Sequence, residues 1–574
     1  MTMTKQRIAW LSAFVALAGP SCATTAQQKS TGTNWLSCHT DTDCAAVEGA
    51  TCSADGICVD STGRPISKGQ VSRSSPDGST AGASWARTDL SPTTSSIFYS
   101  AAVDVSGDVY AVGDLWGPST LDFGNGVTAT GTNSRYNALL VKYDSSGNAQ
   151  WERTIGTDAT GADFSSVALD SSGNLYAVGY LSGDPGVVDL GNGVTVTKSD
   201  TANDAFNNAL LVGYDSSGTA RWAHLVTAGG SDSTLNSVVV DSSGNIFVAG
   251  RIDGTGTYDF GNGVTATGVA TSAGLMNPPG NAVLAKYDSS GTAQWAQTVT
   301  QGSPASSFSS VAVDSGGNAY AAGSIGGTGT YGFGNGVTAA GTAVGGPIGG
   351  EAAGNVALVK YDSSGVAQWA RTVTAGSSGS GFSSVTVDRS GDVYAAGSIG
   401  EGTYDLGNGV TVAGTTKGGS FTGTAGPLYV VLAKYDSTGT AKWARTVTPG
   451  GSNSYLNSVA ADASGNAYVA GAVHSTGIYD FGNGATISTD AHDTGYYAAL
   501  VKYDPSGVAQ WARSSAVTGS TADAFTGVTL DAAGTLYATG YLGGTGVVDF
   551  GNGVTATGTQ LSTGSGWSPL LVKY

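Results

Sequence analysis

Charge is scarce in this chain. Only 11% of its 574 residues are Asp, Glu, Lys or Arg, less than half the usual share of about 25%. Basic residues are scarcest, 24 against 42 acids, for a net charge of −18. That balance excludes nucleic acid as a partner, because a phosphate backbone calls for a basic face. There are four histidines and three methionines. Cysteine occurs five times and never after Cys58, so disulfides cannot hold the rest of the chain. The longest apolar run, residues 8–18, covers 11 positions, where a membrane-spanning helix takes about 20. What fills the gap is glycine, 90 residues, about one in six, against a usual share of about 7%. It shows no three-residue period, which excludes collagen. Hydrophobic residues make up 40% and mean hydropathy is 0.00, so a core is available and the chain is not a disordered polar tail. The composition suits a turn-dense, extracellular β protein.

The first 22 residues have the layout of an export signal. Lys5 and Arg7 precede the apolar run 8–18, which is of signal-peptide length. Cys22 follows directly and resembles a bacterial lipoprotein processing site, although Gly19 stands where such sites prefer Leu. Lipid attachment at Cys22 and ordinary cleavage nearby are the two readings. Cys38, Cys44, Cys52 and Cys58 are spaced by six, eight and six residues. Zinc sites favour close C-x2-C pairs, absent here, so in an exported chain two disulfides within residues 30–60 are expected, with the pairing open. His39 is the extra ligand a zinc reading would use. Residues 61–83, rich in Ser, Gly and Pro, read as a linker.

From Trp85 the chain repeats itself seven times. Trp recurs at 85, 151, 222, 295, 369, 443 and 511. The Asp of a VAVDSSG segment recurs at 104, 170, 241, 314, 388, 462 and 531. A GNG segment recurs around Asn125, Asn192, Asn262, Asn335, Asn408, Asn483 and Asn552. Each unit, 66 to 74 residues between Asp markers, reads as four strands. Two DSSG turns join them in pairs, Asp capping and Gly supplying positive φ. The GNG segment adds a hairpin. Strands such as the one holding Val311, Ala312 and Val313 are apolar on both sides, as blades packed face to face require. The first unit opens with a lone WART strand, and the last stops at LLVKY, the strand WART normally follows. Residues 84–90 are therefore expected to complete the last blade beside residues 569–574. The expected fold is an all-β, seven-bladed β-propeller over residues 84–574, with four-stranded blades plus a hairpin and joined ends.

The pattern VxVDxxGNxYVxG, then DFGNG, then LVKYDxxGxxxW resembles the seven-bladed bacterial β-propeller repeat of exported surface proteins. The resemblance covers residues 84–574. It implies a propeller at the cell surface and generally no assigned activity, and it carries no catalytic residues. The block from Cys38 to Cys58 looks like the small disulfide modules that often precede such propellers on lipoproteins.

Loop lengths point to one face. From the GNG Asn to the Tyr of the second turn the spacing runs 18, 22, 25, 26, 27, 20 and 22, while the other spacings within a unit vary by two residues at most. In a four-stranded blade this connection and the link between blades leave on the face opposite the DSSG turns. The residues there that break the repeat are candidates for a binding face: Tyr136, Phe206, Phe421, Tyr429, His492, Tyr496, Tyr497 and Trp567, with Met276 and Glu351. Exposed aromatics among Gly and Ser suit stacking on sugar rings; packing on the blade rim is the alternative for each. Catalysis is poorly supported. The arginines at 87, 153, 371, 445 and 513 share one slot in separate blades, read as surface pairs with neighbouring Asp; His224, in the same slot, reads as a structural variant. Of 38 Asp, 19 occupy three turn positions, and no calcium loop is formed. Asp490, His492 and Asp493 are the one irregular cluster, short of a full ligand set. No metal or cofactor is expected. The resulting expectation is an exported outer-membrane lipoprotein or extracellular, cell-surface protein that acts as a non-catalytic binding or scaffold module for glycans or proteins. A polysaccharide-acting enzyme is the rival, marked by acids and a base converging at the channel mouth.

Overall fold

The computed structural model describes residues 51–52, 58–59, 82–90, 94–157, 160–198, 206–271, 279–302, 305–343, 354–376, 378–414, 428–447, 453–474, 477–489, 495–518, 523–558 and 566–574. Two compact units divide the chain, 1–79 and 80–574. In the first, two short strands place the backbone of Cys52 opposite Cys58. Cys22, Cys38 and Cys44 lie outside the described residues.

The second unit is a seven-bladed propeller with no helix among the described residues. Each blade is four antiparallel strands in chain order from the axis outward. In blade 1 these are Ser96–Val103, Val109–Trp116, Tyr136–Tyr143 and Ala149–Ile155. Blades 2 to 6 follow over 160–225, 233–298, 306–371, 380–445 and 453–514. Blade 7 takes three strands from 524–573, and its outermost is Trp85–Arg87. Trp85 lies opposite Lys573 and Arg87 opposite Leu571. The ends close the ring as their complementary segments require.

The turns explain why so much of the acidity repeats. At all seven first turns, one Asp Oδ1 accepts two backbone N–H groups, as Asp104 does from Ser106 and Asp108 at 2.8 and 3.0 Å. The six second turns are capped identically, as by Asp144. Six hairpin aspartates, such as Asp122, accept from the first Gly of the GNG loop. All 19 repeated aspartates are thus turn acceptors, whose short side chains mimic a backbone turn.

The hairpin is wider than a two-residue Asn-Gly turn. Gly124, Asn125 and Gly126 all have positive φ, and each GNG Asn sits at 52° to 58°. Three left-handed residues in a row call for Gly and Asn. The Asn side chain then donates to the first residue of its own outer strand in six blades, as Asn125 does to Ala149 at 2.9 Å. The hairpin therefore lies back along its blade.

The core is divided into seven, each part shared by two adjacent blades. A polar clasp repeats outside it. Arg371 Nε donates to the Gly439 carbonyl of the next blade at 2.7 Å, Trp369 Nε1 and Lys360 Nζ donate to Ser437 at 3.2 and 3.3 Å, and the Arg371 guanidinium lies over the Trp369 ring. Arg87, Arg153 and Arg445 bind next-blade carbonyls in the same way. These arginines serve backbone oxygens between blades, which corrects their reading as partners of surface Asp. His224 fills the slot as a structural variant, stacked on Tyr287 and tilted against Trp222.

Candidate functional site

Topology puts both DSSG turns on one face and the variable connections on the other. The inner strand of each blade runs from the loop face toward the turn face, with an edge toward the axis. Each has a one-residue bulge in the same place, and the extra residues are Tyr99, Ser165, Asn236, Ser309, Ser383, Asn457 and Thr526. A bulge re-aims a side chain and breaks pairing. Here Asn236, Asn457 and Thr526 reach the inner strand of the next blade; Thr526 Oγ1 donates to the Phe98 carbonyl at 2.6 Å across the closure. The following Ser accepts an N–H from the next blade, as Ser384 does from Val459 at 3.1 Å. These bonds tie the inner strands of blades 2 to 6 to the next blade and that of blade 7 to blade 1.

An axial cavity of about 330 Å³ opens inside this ring, lined by Tyr99, Asp163, Ser165, Asn457 and Thr526. Those residues come from the inner strands of blades 1, 2, 6 and 7. Beside it sit two acids that the repeat does not supply. Asp163 takes a place held elsewhere by Ile97, Thr234, Ser307, Gly381, Tyr455 and Ala524. Asp114 takes one held by Tyr180, Arg251, Ser324, Ser398, Ala472 and Tyr541. They are 4% and 5% exposed for Asp114 and Asp163. Tyr99 donates to Asp114 Oδ2 at 3.4 Å, and Ser165 donates to Asp163 Oδ1 at 3.2 Å. Burial holds both carboxyls well above the usual range, and the charge of Asp163 pushes Asp114 up further. The Tyr99 and Tyr180 hydroxyls are raised in turn, first by burial and then by these acids.

Aromatic rings surround this mouth in an arc over blades 6, 7 and 1. Trp116, 44% exposed, meets Tyr136 edge-on at 4.7 Å. His474 and Tyr496 lie at 4.5 Å, Tyr455 and Tyr496 at 5.7 Å, and Tyr541 and Trp567 at 5.4 Å. Tyr136, Tyr496 and Trp567 occupy the same strand position in their blades, paired with Trp116, His474 and Gly543. Blades 3 and 4 have Gly280 and Gly354 there, and Arg251 is neutralised by Asp253 at 3.4 Å.

Of the expected binding residues, Tyr136, Tyr496 and Trp567 belong to the arc. Phe206 is half-buried at the loop end of blade 2. Tyr429 and Tyr497 are buried, 3% and 6% exposed, and leave the binding face. They replace a buried Asn. In blade 1 that residue, Asn137, accepts from Thr132 and Asn133 and donates to the Leu115 carbonyl, tying the loop to the strand end. Phe421, His492, Met276, Glu351, Asp490 and Asp493 lie outside the described residues. Tyr99, Asp114, Asp163 and Trp116 escaped the sequence reading because they sit within strands. A position-by-position comparison of the seven units was the signal that could have found them.

A family model described as a beta-propeller repeat, SBBP, matches residues 221–256, the outer strand of blade 2 and the first two strands of blade 3. No curated protein matches the chain. Among solved structures, one similar chain is a protein of unknown function from Dyadobacter fermentans DSM 18053. It is 11% identical, with a TM-score of 0.31, over 73% of this chain and 96% of that one. Another is surface layer protein SbsC, domains 4–9, 11% identical with a TM-score of 0.07, over 81% of this chain and 95% of that one.

Proposed function

We propose that this chain is an exported, surface-held propeller that binds a glycan on its loop face, at the mouth of the axial cavity. One observation carries the reading: the rings of the arc and the two acids, all departures from the repeat, lie on one face beside that cavity. A scaffold with no ligand has no reason to concentrate its departures there. Rings such as Trp116 offer apolar faces to sugar rings, and buried carboxyls and hydroxyls beside them supply acceptors for sugar hydroxyls. Export rests on the basic and apolar leader, and the surface hold on Cys22. Two disulfides among Cys38, Cys44, Cys52 and Cys58 belong to the same reading.

The test is a glycan array probed with the full chain. Binding to a definable group of glycans is expected, with a roughly tenfold loss for Trp116→Ala, the order that one stacking contact supplies. Absence of binding, or binding indifferent to Trp116, Tyr136 and Trp567, would overturn the reading. Cys22→Ser is expected to release the protein from membranes; retention would refute the anchor. The acid pair also favours a second reading, a polysaccharide-cleaving enzyme, since such chemistry uses two carboxyls in different protonation states. New reducing ends from a bound glycan, absent with Asp163→Asn, would select it.

A further inference from the structure

A buried carboxyl is stable when a cation or several donors share its charge, and costly otherwise. The buried Asp253 has Arg251, and the half-buried Asp108 and Asp392 have Lys142 and Lys434, whereas Asp89, at the seam of blade 7, is a further buried acid with an unpartnered oxygen. Asp114 and Asp163 have no ion pair among the described residues, and the charge of Asp163 adds to the cost of ionising Asp114. Asp163 is more than nine-tenths buried and lines the cavity. Ser165 serves its Oδ1, and its Oδ2 takes no hydrogen bond from the described residues. Six other blades manage this strand position without an acid, so the fold does not require one.

We propose that the Asp114–Asp163 pair recognises an ammonium group, and that the glycan bound at the channel mouth carries free amino sugars. This rests on the glycan reading above and sharpens it. Neutral hydroxyls are satisfied by any polar wall; ionised, two buried carboxyls call for a cation. An arriving ammonium displaces the proton held by the pair to solvent and leaves one positive charge between two carboxylates. The Tyr99 ring beside them adds an electron-rich neighbour of the kind that suits such a cation. A calcium ion is a poorer match, since it takes six to eight oxygen ligands.

The experiment is calorimetric titration of the full chain, at about pH 6 where amines are charged, with a glucosamine tetramer and with its fully N-acetylated counterpart. The free-amine tetramer is expected to bind at least about tenfold tighter. Asp163→Asn and Asp114→Asn are each expected to bring it down to the acetylated level, while Trp116→Ala weakens both tetramers alike. Equal affinity for the two tetramers overturns the amine inference and leaves the glycan reading standing. An Asp163→Asn variant that melts cooperatively yet keeps the preference also overturns it. Binding of neither tetramer overturns it together with this glycan class, and tight binding of calcium alone that is lost in Asp163→Asn assigns the pair to a metal instead.

Discussion

Asp114 and Asp163 hold a proton that an unfolded chain releases once the pH exceeds about 4. Burial holds both carboxyls above the ordinary range, and the charge of Asp163 raises Asp114 further. The native state therefore binds more protons than the unfolded state from about pH 4 through neutrality, and stability falls as pH rises through that window. Asp163→Asn is expected to flatten this slope and to gain about 2 kcal/mol near pH 8, the equivalent of between one and two pKa units. Denaturant unfolding at several pH values reads it directly; an unchanged slope would place the proton on other groups. At this scale the sequence was legible where a residue repeats with its turn. Asp104 could be assigned as a cap because seven copies stand before Gly-containing turns. Asp163 could not, since a polar residue inside a strand says nothing by itself about what lies across the axis. Tyr429 and Tyr497 were misread for a related reason. They look like exposed departures until the loop-tying role of Asn137, Asn281 and Asn355 at the same position is seen.

The blade-to-blade clasp shows how one element constrains the next. Gly439 has φ +78°, and a Cβ there would approach Trp369 of the preceding blade within 2.9 Å. Turn chemistry and the packing of a neighbour thus demand the same residue. Arg371→Ala removes two donors to that turn and a cation over Trp369, for an expected loss of about 1–2 kcal/mol. The junction between blades 2 and 3 is built differently. Gly213 replaces the Lys, His224 replaces the Arg, and the Trp222 ring fills the space over Gly213. Burial holds the His224 imidazole below its ordinary value. The unfolded chain then takes the proton first, and stability at this junction is lost as pH falls below about 6.5. His224→Arg is expected to raise Tm and to remove that acid-side loss; a Tm below the parent at pH 5 would contradict it. Strands and hairpins were readable from period and GNG spacing. The clasp was not, because its partners are 60 or more residues apart and meet only through the ring.

For the molecule as a whole, the seam in blade 7 decides between a closed ring and an open array. Trp85–Arg87 covers the edge of Trp567–Lys573, and the Trp85 and Lys573 side chains both clasp the Ser145 carbonyl of blade 1. Deleting residues 84–90 removes a strand, a ring from the core between blades 7 and 1, and the Arg87 clasp. A loss on the order of a few kcal/mol is expected, a large part of a domain's stability. It should show as a lower Tm and as aggregation through the bared edge; a deletion as stable as the parent would refute the seam's importance. This closure was legible in the sequence because each end lacked the segment the other possessed. The same seam sets a clock. Its two strands are about 490 residues apart in the chain, and at roughly 5–20 residues per second a ribosome needs on the order of 25–100 seconds to make the second after the first. Six blades can assemble from what has already emerged, while the oldest strand waits for the newest. A chain cut short before Trp567–Lys573 is left with an unsealed rim that proteases and chaperones can recognise.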